Sequence, residues 1–218
     1  MKPYVKAIAL SAAVMAVPAP AFATDAEPMV RPVDMMRWQE RIFRNSTVYR
    51  SVVLDGERVL RGEADDSASA LYQTQRINLT ETPYLHWRWR VERTLGSEID
   101  ERSKNGDDYA ARVYVIRDGG LTFWRPKSIS YVWSSNIPAG THWANPYGGE
   151  NVHMWALDSG NAKAGEWSSH VRDIRADWLE AFGEDIRSLD GLAVMVDTDN
   201  SGLTSRSWFA DILFSSKP

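Results

Sequence analysis

Apolar and polar residues alternate strictly along two segments, and this period of two restricts the chain more than anything else in it. In Tyr84 to Arg93 (YLHWRWRVER), Leu85, Trp87, Trp89 and Val91 fall on one side and His86, Arg88 and Arg90 on the other. In Asp108 to Arg117 (DYAARVYVIR), Ala111, Val113 and Val115 oppose Arg112, Tyr114 and Ile116. Successive side chains of a strand point to opposite faces, so such runs are half-buried β-strands. Thr47 to Leu54 and Arg58 to Ala64 flank Asp55-Gly56, a strong hairpin signal. Ala68 to Leu79, Ser128 to Ser134, Val152 to Asp158, Trp167 to Ile174, Leu189 to Val196 and Ser207 to Phe214 are further strand candidates. Only Asp173 to Gly183 has helical spacing, with Ile174, Trp178 and Phe182 on one stripe and Gly183 placed as a C-cap. Many short strands without a βαβ rhythm point to an all-β fold, an antiparallel β-sandwich or jelly roll with one short helix near 174–183.

The N-terminus carries a second signal. Lys2 and Lys6 precede an apolar run from Ala7 to Val17, and Ala21-Phe22-Ala23 offers a small-residue cleavage site. This is the order of a cleavable secretory signal over 1–23, and its apolar run is shorter than the roughly 20 residues a membrane span needs. Removing 23 of the 218 residues leaves 195, which suits one domain over 38–218 after a flexible tail at 24–37 containing Pro28 and Pro32. Without Lys2 and Lys6 the net charge goes from −4 to −6, so no basic stripe favours nucleic acid. The chain has no cysteine, which excludes disulfides, thiolate metal sites, a cysteine nucleophile and a lipoprotein anchor. A periplasmic or secreted location is therefore expected.

Several constellations could carry chemistry. Asp197-Thr-Asp-Asn-Ser-Gly202 fits the front half of a calcium loop, with Asp197, Asp199 and Ser201 as oxygen ligands. Trp208 stands where such a loop needs its bidentate Glu, and the flanks read as strands, so an Asx-rich turn is the alternative. Asp107 and Asp108 are adjacent carboxylates that a strand would point in opposite directions. If the strands pair, His86, Arg88, Arg112, Tyr114, Tyr131, Trp133, His153 and Trp155 could share one exposed sheet surface. Flat rings stack on sugars and guanidinium forks hold anions, although many of these aromatics could equally be core. Two long connections stand out: Thr94 to Asp107, charged and expected to be mobile, and Ser135 to Asn151, whose Trp143 and Tyr147 either touch a ligand or pin the loop. The histidines show no metal-ligand spacing, and there is no nucleophile elbow or phosphate loop.

Tyr84 to Val91, Gly106 to Val115, Tyr131-Val-Trp133, Asn145-Pro-Tyr147, Val196 to Gly202 and Trp208 to Phe214 occur in that order. Together they resemble the bacterial family catalogued as domain of unknown function 3047, from about Trp38 to Phe214. The resemblance implies an exported β-sandwich and supplies no activity.

The reading that follows is a non-catalytic exported binding module, galactose-binding-like or lectin-like, for a glycan or envelope component. Two alternatives stay open. A polysaccharide lyase would draw on Tyr114, His86, His153 and Arg112, and a glycoside hydrolase on Asp108, Asp158, Asp197 or Asp211. A structural envelope protein is the other. Ligand identity and oligomeric state are not legible.

Overall fold

A computed structural model describes residues 29–117 and 126–218. The expected signal at 1–23 lies outside these residues. Fourteen strands are described: β1 (Met29–Val30), β2 (Gln39–Arg44), β3 (Val48–Leu54), β4 (Glu57–Asp65), β5 (Ala68–Asn78), β6 (Tyr84–Val91), β7 (Ala111–Arg117), β8 (Lys127–Ser134), β9 (His142–Asn145), β10 (Gly149–Ser159), β11 (Ser168–Asp173), β12 (Ser188–Asp197), β13 (Thr204–Phe209) and β14 (Ile212–Ser215). Two helices, α1 (Pro32–Met35) and α2 (Ile174–Phe182), join them. One sheet runs β1-β14-β6-β13-β4-β3, with β11 on the other edge of β6; the second runs β2-β5-β12-β7-β8-β10-β9. The fold is the expected β-sandwich.

Local chemistry sets the elements. Asp55 and Gly56 both take positive φ, 51° and 83°, the backbone a two-residue turn needs, and β3 pairs β4 up to Leu54 opposite Glu57. Asp173 caps α2 by accepting from the backbone N–H groups of Arg175 and Ala176, and Gly183 closes it at φ 68°. Ala210 and Asp211 interrupt what reads in the sequence as one strand, so β13 and β14 pair successive parts of β6.

Between the sheets, Trp87, Trp89, Tyr131, Trp133, Trp178, Phe209 and Phe214 are buried in one cluster with Leu85, Val113 and Val194. Inward parity on β8 is odd-numbered, which takes Tyr131 and Trp133 into this core. Three arrangements depart from the expectations. The stretch expected as a tail through residue 37 is built in from Met29: β1 pairs β14, and Met35 is fully buried. The loop expected to be mobile is anchored, because buried Glu101 accepts from Ser134 Oγ and the Ser135 N–H and Asn136 Nδ2 donates to the Ser97 and Ile99 carbonyls. One pairing, β8 with β10, is parallel; β9 skips a position and β10 returns into the gap. Among the described residues no helix is long and apolar enough to cross a membrane.

Candidate functional site

The outer face of the second sheet is hollow because its central positions are small. Ala68 and Ala70 on β5, Ala193 on β12 and Ser128 on β8 share that face. Larger side chains stand around them: Phe43 and Tyr72 on one side, Tyr147 on the other, Tyr114 and Met195 between. The result is a groove of about 730 Å³ with an apolar floor and a polar end, a size that suits a small ligand. Tyr147 and Phe43 are 59% and 58% exposed, with Lys104 over the Tyr147 ring and Arg41 over the Phe43 ring.

The polar end is organised around Arg112, which is buried. Its Nε donates to Asp197 Oδ1 at 2.8 Å, and Nη2 bonds Asp197 Oδ2. Nη1 donates to the Tyr114 hydroxyl at 3.1 Å. Asp107 lies beside it, its carboxylate accepting from Asn145 Nδ2 at 2.9 and 3.0 Å. Burial works against charge on Arg112, but Asp197, Tyr114 and Asp107 hold its pKa well above the ordinary value. Burial pushes the Asp197 carboxyl up, and Asp108 and Asp107 push it further, while the two-point pairing with Arg112 pulls it down and favours its charged form. Burial also raises Asp107 and Asp199. Several carboxyl groups thus share one guanidinium, leaving this end of the groove rich in acceptors.

Asp108, Asp197 and Asp199 each place a carboxylate oxygen within 4.8 Å of the others, a spacing that could hold a cation. Asp108 accepts from the backbone N–H groups of Asn200 and Ser201, and Asp197 is taken up by Arg112 and the Tyr109 N–H. Ser201 is turned away: its Oγ donates to the Thr198 carbonyl.

The expected shared surface divides into four places. Arg112, Tyr114 and Tyr147 come together in the groove. Tyr131, Trp133 and Trp155 are interior, because burying rings that large outweighs exposing them. Tyr131 donates its hydroxyl to Asp177 at 2.6 Å. His86 and Arg88 lie on the outer face of the other sheet, where His86 Nε2 meets Ser215 Oγ at 2.8 Å and Arg88 pairs with Glu57. His153 sits behind the groove, against Phe182 of α2. Trp143 packs against Tyr109 and pins its loop. Of the carboxylates named for hydrolysis, Asp158 instead accepts from the Trp89 indole, Ser168 and His170 at 2.7 to 3.0 Å. Phe43, Tyr72, Asn145 and Asn200 escaped sequence reasoning. Parity on Ala68-Ser-Ala-Leu-Tyr72 would have put Tyr72 beside Ala70 and Ala68; nothing local marks the other three.

The family model described as "Protein of unknown function (DUF3047)" matches residues 36–213. No curated protein matches the sequence. Among solved structures, the glycoside hydrolase domain of Endo-D from Streptococcus pneumoniae R6 is similar at 9% identity and a TM-score of 0.43, over 83% of this chain; the chain spans only 22% of that one. The family 30 carbohydrate-binding module of a cellulosomal cellulase from Clostridium thermocellum is similar at 14% identity and 0.42, covering 82% and 98%. The xyloglucanase domain of NopAA from Sinorhizobium fredii, in complex with cellobiose, is similar at 14% identity and 0.37, covering 83% and 98%.

Proposed function

The chain belongs to the DUF3047 family, and we propose that it is an exported, non-catalytic binding protein whose groove takes a neutral glycan. The observation that carries this reading is the groove itself, where exposed Phe43 and Tyr147 rings flank an apolar floor that ends in carboxylates and amides. Sugar rings present C–H faces to aromatic rings and hydroxyl donors to carboxylates. Acidic glycans fit less well, because Arg112 is spent on Asp197 and Tyr114 and the polar end is crowded with carboxylates, which leaves Arg41 beside Phe43 as the guanidinium that could meet a uronate. The same fact weighs against the lyase reading, and His86 and His153 stand outside the groove.

Titration calorimetry with neutral and uronic oligosaccharides tests this. Neutral oligomers are expected to bind more tightly than uronates; flat titrations with every neutral glycan would remove the reading. Tyr147→Ala is expected to weaken binding by about two- to twelvefold, the loss of roughly 0.5–1.5 kcal/mol of ring contact, with a small drop in melting temperature because its hydroxyl also bonds the Lys104 carbonyl and Asn200 Oδ1.

The calcium reading of the trio has a separate test. Arg112 already supplies a positive charge to Asp197, so melting temperatures with millimolar calcium and with chelator are expected to agree within about 1 °C. A rise of several degrees with calcium would show that an ion binds the folded state.

A further inference from the structure

We infer that His142 and His153 form an acid-sensitive latch holding the C-terminal turn of α2 against the β9–β10 hairpin. The two rings lie 6.0 Å apart, centroid to centroid. His142 stacks on Trp155 at 4.7 Å, and His153 meets the edge of Phe182 at 4.8 Å. Phe182 in turn packs on Trp178, the buried anchor of α2. The pair therefore fills the seam between helix and hairpin.

Each ring turns Nε2 toward a carboxylate: His142 to Glu180 at 3.3 Å, His153 to Glu150 at 3.8 Å. The Nδ1 atoms of both are buried without a partner. Neutral imidazole tolerates this, since Nδ1 is then a bare lone pair and the proton sits on Nε2. Protonation places a second N–H at Nδ1 with nothing to accept it, and a buried unpaired donor is costly. It also sets two cations side by side.

The other charges facing the seam do not cancel that cost. Lys127 of β8 adds a third positive group, over the Phe182 ring and paired to Glu184 beyond α2. Arg172 of β11 lies over the Trp155 ring and is paired to Asp177. Glu180 and Glu150 are 58% and 90% exposed at the side chain, so water screens what they offer. Burial, more than the Coulombic neighbours, holds His153 below the ordinary histidine range. A depressed imidazole contributes nothing above the unfolded value of about 6.5 and destabilises progressively as pH falls below it.

The hairpin also bears one wall of the groove. Asn145, Tyr147, Gly148 and Val152 line it from the opposite face of the same strands. Releasing α2 loosens that wall, so acid acts on the groove from behind as well as through the raised carboxyl groups that line it.

The test is hydrogen exchange on the full chain at pH 7.5 and pH 5, corrected for intrinsic rates. Amides of 142–153 and 174–182 are expected to speed up together by at least about threefold at pH 5, while β4 and β12 stay protected. In the His142→Gln/His153→Gln variant the two segments should exchange equally at both pH values. Unchanged exchange in the native chain at pH 5 overturns the latch, and so does an acid response that survives in the variant. Should the variant not fold, the imidazole proton resonances of the native chain decide. They should titrate in step with the amide shifts of α2, and independent titration overturns the inference. No glycan enters these measurements, so their outcome is separate from that of the groove.

Discussion

Replacing Arg112 by alanine is expected to lower the unfolding free energy by about 3–5 kcal/mol, because it leaves buried carboxylates without a countercharge. Arg112 is 3% exposed and Asp197 1%, so water cannot fill in for the guanidinium. Urea unfolding followed by tryptophan fluorescence would show the loss as a lower midpoint at unchanged slope. Lysine should not rescue, since a single ammonium cannot make the paired Nε and Nη2 contacts. Adding Asp197→Asn to the alanine variant should recover part of the loss, because it removes the stranded charge. A cost below about 1 kcal/mol would mean that Asp197 carries a proton in the native state and the pair is not what closes this end of the groove.

The second large effect is at Asp158. This carboxylate on β10 accepts from the Trp89 indole of β6 at 2.7 Å, from His170 of β11 at 2.7 Å and from Ser168 at 3.0 Å, and so fastens the two sheets to each other. Asp158→Ala strands these donors in or near the core and is expected to cost about 2–4 kcal/mol. Burial pushes the carboxyl up, but the hydrogen bonds from His170, Trp89 and Ser168 outweigh it and hold the group below its ordinary range. For a depressed carboxyl, the sign is fixed: its stabilisation is complete above the unfolded value of about 3.9 and is lost as pH falls below that. Thermal melts from pH 7 to pH 2.5 should therefore fall more steeply for the native chain than for the alanine variant in the acid limb. Parallel curves would count against the assignment.

The strands were legible wherever one face is buried. β6 reads cleanly because Leu85, Trp87, Trp89 and Val91 alternate with polar residues, and the structure buries those four. β2 was hidden because every residue from Gln39 to Arg44 is exposed, so hydrophobic alternation had no core to report. β9 was hidden by length, with four residues inside a Pro- and Gly-bearing loop. The groove was harder still. Arg112, Tyr114 and Tyr147 could be named from residue type, but their neighbours are defined by register between β5, β12 and β7, which no local pattern encodes. Tyr131 and Trp133 mislead for a related reason: alternation tells which residues share a face, not which face is inside.

The place of β10 between β8 and β9 bears on how the chain gets there. β9 follows β8 and runs antiparallel to its direction, so the pairing nearest in sequence is a β8–β9 hairpin that the native sheet excludes. Contacts of short sequence separation close fastest. A hairpin closed there has to open before β10 can enter. Refolding should carry a slow phase set by that rearrangement, and the phase should quicken when β9 and β10 are joined by a tighter turn than Pro146-Tyr-Gly148.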